Sequence, residues 1–361
     1  METVGANGLE GVEVARTALS DVDGERGRLV IAGHDVEALA ARARFEDVCL
    51  MLWGGRDPVP EESERLRAAL GEARVRAFEA IPGLGRALEL KDAMDALRAC
   101  VAHLTAPADE DDGRVLVTAA TAVFVAAWCR IHAGQPPLPP DPKSAHAADY
   151  LRMATGSSER AAALESYLVT VTEHGMNAST FAARVVASTG PVLVSAVVAA
   201  IGALKGPLHG GAPGLVLEML DAVGAPERAA AWLEGEVAAG RRVMGMGHRI
   251  YRVRDPRAAV LEQAIEALER GAAPSSRLRL ARAVEKTAEE LLAKRHPDRA
   301  LRANVEFYTA VLLEAVGLPR EAFTATFAVG RVAGWSAHVA EHRRVGKLIR
   351  PSSRYVGPPP D

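Results

Sequence analysis

The sequence predicts an all-α protein, and three observations carry that reading. From Val36 onward, apolar residues recur at helical spacing almost without interruption. Aromatic residues make up only 4% of the 361-residue chain while alanine is abundant, a composition that suits close helix-on-helix packing better than sheets. The periodic runs are separated by Gly- and Pro-containing breaks of the kind that stop helices.

In chain order, Gly8 to Asp35 reads as short extended pieces with turns at Asp23-Gly24-Glu25 and Ala32-Gly33-His34. Phe45 to Trp53 reads as a helix stopped by Gly54-Gly55, and Pro60 to Glu79 carries charges and apolar residues at helical spacing. Asp109-Glu110-Asp111-Asp112 reads as a solvated acidic loop ahead of a compact apolar helix from Gly113 to Trp128. Ala133 to Pro142 is too rich in proline for helix or central strand and is expected to cross the surface between helices. Glu173 to Thr180 ends one helix and starts another, with Asn177 or Ser179 available as the cap.

Val185 to Leu204 has no charge over 20 residues, the length of a membrane span. Gly190-Pro191 interrupts it, and its Ser, Thr and Ala make it only mildly apolar, so a buried core or subunit-interface segment is expected. Its end, Val192 to Leu204, reads as the tail of a helix; Gly214 to Val223 starts another with Pro213 at the favoured first position. Further helices are read over Ala258 to Arg270 and Arg277 to Lys294, and one opens at Asn304-Val305-Glu306-Phe307-Tyr308. The proline tail, Pro358 to Pro360, is expected to be disordered.

Composition narrows the function. The chain is long enough for one large domain or two unequal ones, and 49% hydrophobic with 25% charged residues is that of an ordinary globular protein. A net charge of −3 gives no electrostatic case for nucleic acid or an anionic membrane. Cys49, Cys100 and Cys129 lie in apolar surroundings without metal spacing and read as buried thiols of a reducing compartment. The N-terminus lacks the charged and apolar regions of a signal peptide, so a cytoplasmic location is expected.

The chemistry centres on Lys205-Gly206-Pro207-Leu208-His209-Gly210-Gly211-Ala212-Pro213. His209 is expected near a helix N-terminus, where the dipole disfavours imidazolium and a neutral ring can donate a hydrogen bond to a substrate oxygen. By itself the stretch is equally a Gly-Pro turn carrying an exposed histidine. Val243-Met244-Gly245-Met246-Gly247-His248 is a second glycine-rich loop with a histidine; Arg249, Arg252, Arg254 and Arg257 follow, with Asp255-Pro256 marking a turn. It is no dinucleotide fingerprint, since the preceding strand and third glycine are missing. Glu306, alone, is more simply a helix-start acid than a base, and His174 alone more simply a core histidine than a catalytic one.

No clustered metal-ligand spacing, nucleophile elbow or P-loop is present, so no metal is expected. What remains is acid-base chemistry on a small polyanion, with arginines holding carboxylates and histidines polarising carbonyls.

Four blocks, Gly-Pro-Leu-His-Gly-Gly-Ala from Gly206, Gly-His-Arg-Ile-Tyr-x-x-x-Asp-Pro-Arg from Gly247, Asn-Val-Glu-Phe-Tyr from Asn304 and Arg-Pro-x-x-x-Tyr-x-Gly-Pro from Arg350, stand in an order that resembles the citrate synthase family, including its 2-methylcitrate synthases. Gly8 to Val12, Asp23 to Glu25 and Asn177 to Phe181 extend the likeness to nearly the whole chain.

The resemblance implies a two-domain helical homodimer with the active site in the interdomain cleft. Residues 1–207 and 308–361 would form the large domain and 208–307 the small one. It implies that His209 binds the thioester carbonyl of acetyl-CoA, that Glu306 stands in the place of the base, and that His248 polarises the ketone of oxaloacetate. His174, Arg257 and Arg331 would hold oxaloacetate, and Arg350 would reach across the dimer. Val243, Met244, Gly245, Met246 and Gly247 would meet the CoA adenine, and Arg252 a CoA phosphate. Acyl-CoA would be a cosubstrate rather than a resident cofactor.

Two positions depart from the family. Its usual base is aspartate, and the extra methylene of Glu306 can displace the carboxylate by about 1 Å, enough to cost roughly 100-fold in rate. Ala32-Gly33-His34 also lacks the arginine and aromatic that flank this glycine. Besides citrate formation, the resemblance leaves two alternatives: a 2-methylcitrate synthase using propionyl-CoA, since one methyl in an apolar pocket is worth about 1–3 kcal/mol, and a silent paralogue that only binds ligand.

Overall fold

A computed structural model describes residues 8–9, 11–107, 109–210, 213–270 and 275–358. Near the N-terminus, β1 (Ser20–Asp23), β2 (Arg28–Ile31) and β3 (His34–Asp35) form a small antiparallel sheet in sequence order. Ser20 pairs with Ile31 and Val30 with Asp35. The rest is helical: α1 (Val36–Arg42), α2 (Phe45–Gly54), α3 (Pro60–Glu79), α4 (Ala93–Ala102), α5 (Glu110–His132), α6 (His146–Thr155), α7 (Ala161–Val171) and α8 (Ala178–Ala187). Then follow α9 (Leu193–Leu204), α10 (Pro213–Val223), α11 (Ala229–Ala238), α12 (Pro256–Leu268), α13 (Ser276–Arg295), α14 (Val305–Ala315) and α15 (Phe323–Val345).

Helix starts obey local chemistry. Asp92, Asn177, Ser275 and Asn304 cap α4, α8, α13 and α14 by accepting backbone N–H groups that would otherwise be orphaned. Two readings need correction on the same ground. The acidic run is no loop: Asp109 caps α5, and Glu110 to Asp112 form its first turn, where the helix dipole favours negative charge. Nor is Asp255-Pro256 a free turn, because Asp255 caps α12 and Pro256 is its first residue.

The long helices α5 and α15 form the centre. α5 packs on α3, α4, α6, α9 and α15, and α15 also touches α2, α7 and α8. α5 is long and apolar enough to cross a membrane by composition, yet 72% of its apolar stretch is buried inside the fold, as a core helix requires. Val185–Leu204 is not one span, since α8 and α9 are separated by residues 188–192. Small residues bring α15 close to the end of α7: a Cβ on Gly330 would lie 2.6 Å from Val171 Cγ2, and one on Gly334 2.6 Å from Glu173 Oε2. In the C-terminal half, α11 packs on α13 and α10 on α14, while α12 rests on α14, α7 and α1. Cys49, Cys100 and Cys129 are free and buried. Of the proline tail, Pro359 and Pro360 lie outside the described residues.

Candidate active site

One cavity of about 840 Å³ gathers His174, His209, His248, Arg257, Glu306 and Arg331. They come from six places: the α7–α8 connection, the segment after α9, the loop before α12, the start of α12, the start of α14 and the middle of α15.

His209 is held from behind. The Ser179 backbone N–H donates to its Nε2 at 3.2 Å, and Ser179 Oγ lies 2.8 Å from the same nitrogen. Trp335 Nε1 in turn donates to that Oγ at 3.1 Å. A backbone N–H can only donate, so Nε2 is the bare nitrogen and Nδ1 carries the proton. Burial first, and Arg331 second, push the ring down to about 4. The sequence reading assigned neutrality to a helix N-terminus; in the folded chain desolvation and a nearby guanidinium favour the neutral ring.

His248 is fixed in the opposite tautomer. Its Nδ1 accepts from the backbone N–H groups of Ile250 (3.1 Å) and Tyr251 (3.2 Å), so the proton sits on Nε2. Burial and Arg257 lower it to about 4 against the opposing pull of Asp255. His174 is buried, with Nε2 3.0 Å from the Tyr251 hydroxyl and its ring edge-on to His248 at 5.5 Å. Burial, then Arg257, His248 and Arg331, hold it well below the ordinary histidine value. Three neutral imidazoles therefore share the cavity.

The two arginines are built differently. Arg257 Nε and Nη2 clamp Asp255 at 3.0 and 2.7 Å, both side chains being buried. Asp255 Oδ2 also accepts the Val305 N–H at 3.2 Å, so one carboxylate ties the start of α12 to the start of α14. Arg331 donates from Nε to the Val171 carbonyl at 2.6 Å and lies over the Phe327 ring at 4.6 Å. Its Nη2 is buried without a protein partner, and burial pulls the group down to about 10, still cationic at neutral pH.

Glu306 sits in the first turn of α14, where Asn304 Oδ1 accepts its N–H at 3.0 Å. Its Oε2 is buried without a protein partner. Burial lifts the carboxyl to about 7, with Arg257 and Arg331 opposing and Asp255 assisting.

The remaining predicted residues fall elsewhere. Gly247 touches the cavity, whereas Val243, Met244, Gly245 and Met246 do not line it. Much of that loop is bonded to its own chain: the Asn304 N–H donates to Gly245 O at 2.9 Å, Gly247 N–H to Arg302 O at 2.7 Å, and Asn304 Nδ2 to Gly247 O at 2.8 Å. Arg252 lines a separate cavity of about 480 Å³ with Arg254, Arg299 and Arg302, and its backbone N–H donates to Gly24 O at 2.9 Å, docking the N-terminal turn on this loop. Arg350 is exposed and does not line its own chain's cavity. Neither Ala32 nor His34 lines it; His34 instead bonds Asp57 and Arg42. Among the described residues, no three His, Cys, Asp or Glu side chains are grouped to hold a metal ion.

Sequence reasoning gave Ser179 and Asp255 only local backbone roles and gave none of Ser179, Tyr251 and Asp255 a part in the site, although all three stand inside the quoted motifs. Asp255, two residues before Arg257, was the legible one, because a short acid at a helix cap is spaced to reach back to the first-turn arginine. Ser179 meets His209 through both its backbone N–H and its hydroxyl, a contact 30 residues away along the chain that no local pattern reveals.

Comparison with known proteins places the chain among known sequences and folds. The family model described as citrate synthase, C-terminal domain, matches residues 8–352. A Haloferax volcanii protein described as citrate synthase is 36% identical over 97% of this chain and 95% of its own length. The crystal structure of citrate synthase from Thermotoga maritima superposes with a TM-score of 0.86 at 35% identity, covering 98% of this chain and 96% of that one. The Thermoplasma acidophilum citrate synthase, solved as a ternary complex with carboxymethyl coenzyme A and oxaloacetate, has a TM-score of 0.86 at 28% identity over 98% of this chain and 96% of its own.

Proposed function

This chain belongs to the citrate synthase family and is an enzyme of that kind, an acyltransferase, and on that footing we propose that it joins oxaloacetate to acetyl-CoA, giving citrate and free CoA. The observation that carries the reading is the meeting of three neutral histidines, two buried guanidiniums and one carboxyl of pKa about 7 on a single cavity.

The chemistry follows from the tautomers. Glu306, ionised, removes a methyl proton from the thioester while His209 Nδ1–H donates to the thioester oxygen, so an enol forms without a free enolate charge. His248 Nε2–H polarises the oxaloacetate ketone, and the enol carbon attacks it. Arg257 and Arg331 hold the carboxylates of the keto-diacid, a task for guanidinium rather than ammonium geometry, with His174 beside them. Water then cleaves the citryl thioester and CoA leaves. CoA is consumed and released, not retained as a cofactor.

In this reading the arginine-lined second cavity, with Arg252, takes the anionic end of CoA. The Val243–Gly247 loop meets the adenine through the backbone groups it has left. Residues 208–307 act as a small domain closing on residues 1–207 and 308–361, and the Arg252–Gly24 bond is one contact between the two segments. The chain works as a homodimer, and Arg350 completes the partner's site.

The test is release of free thiol from acetyl-CoA with oxaloacetate present, with propionyl-CoA run in parallel. Acetyl-CoA-dependent release supports the proposal. Release from propionyl-CoA alone replaces it with 2-methylcitrate synthesis, and binding of oxaloacetate without any thiol release refutes catalysis altogether.

A further inference from the structure

Where α7, α14 and α15 pack together, four buried polar atoms find no hydrogen-bond partner within the protein: the Tyr167 hydroxyl, the Thr309 hydroxyl, Glu306 Oε2 and Arg331 Nη2. They are neighbours. Glu306 and Thr309 are three residues apart on α14 and share a face. Tyr167 lies one turn before Val171, whose carbonyl grips Arg331 Nε, so Tyr167 is on the side of α7 turned toward α15. The Tyr167 and Thr309 hydroxyls face one another without meeting hydrogen-bond geometry, and the charges of Glu306 and Arg331 both act on the phenol. Tyr167 is fully buried and Thr309 nearly so.

A buried hydroxyl or carboxylate oxygen left unpaired is costly, and a polar site with several converging partners is what holds an ordered water. The inventory here matches one. Arg331 Nη2–H and the Tyr167 O–H are donors for the two lone pairs of a water, while Glu306 Oε2 and Thr309 Oγ1 accept its two protons.

We propose that Tyr167 is a positioning residue for Glu306, acting through one ordered water held among Tyr167, Thr309, Glu306 Oε2 and Arg331 Nη2. The inference rests on Glu306 being the base. With Oε2 tethered at the back, Oε1 is the oxygen presented to the substrate, which gives a side chain one methylene longer than aspartate a defined direction. The phenol stays protonated, because burial and the Glu306 charge both push it up. Glu306 is faced also by Arg257 and Asp255 at the start of α12 and by Arg331 on α15, with His174, His209 and His248 on the same cavity. All of these side chains are retained in Tyr167→Phe.

A hydrogen bond to a carboxylate favours its charged form, so removing the donor raises the Glu306 pKa. The base works only ionised, and the acid limb of kcat therefore moves to higher pH. In full-length Tyr167→Phe, kcat at pH 6.5 is expected to fall about 3- to 10-fold and to recover to within about 2-fold of the parent at pH 9. Thr309→Val removes another partner of the same water and should move the limb the same way; it carries the test if Tyr167→Phe does not fold.

A second readout needs no turnover. The Glu306 carboxyl band, identified by its loss in Glu306→Gln, is titrated by infrared difference spectroscopy in the parent and in Tyr167→Phe. A midpoint raised in the variant supports the proposal even if the parent releases no thiol, in which case it is the base assignment that fails. Identical midpoints in folded protein, or an equal loss of kcat at every pH, overturn it.

Discussion

Replacing Glu306 by glutamine tests both the electrostatics and the chemistry of the site. In the folded chain burial raises this carboxyl from 4.5 to about 7, because Arg257 and Arg331 only partly offset the loss of water. An acid whose folded value lies above its unfolded one contributes stability that is fully present below about pH 4.5 and is lost as pH rises through about 7. An elevation of that size corresponds to about 3 kcal/mol, taken as an upper bound since the carboxyl borders a cavity. Glutamine keeps the shape and never ionises. The Glu306→Gln protein should therefore gain on its parent as pH rises from 5 to 8.5, by up to about 5 °C in Tm for a chain of this length. Thermal unfolding by fluorescence across that range, without ligand, measures it. The histidines held neutral by burial destabilise both proteins alike at low pH and cancel in the difference. In the same variant thiol release should disappear while oxaloacetate affinity, read by calorimetry, stays within a few-fold. A melting difference that is flat with pH would refute the buried-acid reasoning, and unchanged turnover would remove Glu306 as the base.

Two further outcomes follow from particular contacts. Arg257→Lys loses the two-pronged grip on Asp255 and the planar fork offered to a carboxylate, so the KM for oxaloacetate should rise about 10- to 100-fold, whereas an unchanged KM would place the substrate elsewhere. Gly71→Ala in the middle of α3 should lower Tm although alanine is the better helix former: the added Cβ would lie 2.8 Å from the Pro142 carbonyl carbon, closer still to its oxygen, and 2.9 Å from its Cα. A raised Tm would show that the proline-rich crossing yields freely.

The helical architecture was legible because its signals are local. Apolar spacing marks α3 and α9, Gly54-Gly55 stops α2, and Asn177 and Asn304 cap the helices they precede. The two misread segments failed for an equally local reason: Asp109 and Asp255 read as loop or turn chemistry, yet a short acidic side chain satisfies orphan N–H groups as readily at a helix start.

The residue types of the site, and the two glycine-bounded loops that carry His209 and His248, were determined by the sequence itself, since backbone breaks and polar side chains inside apolar surroundings are written in the order of residues. Their states were not. That His209 bears its proton on Nδ1 and His248 on Nε2 depends on the backbone N–H groups of Ser179, Ile250 and Tyr251, one of them 30 residues from its ring. That Glu306 stands near neutrality depends on how completely α14 is buried beside Arg257 and Arg331. Proton location and charge are set by desolvation and by donors that arrive from distant parts of the chain, so only the packed structure decides them.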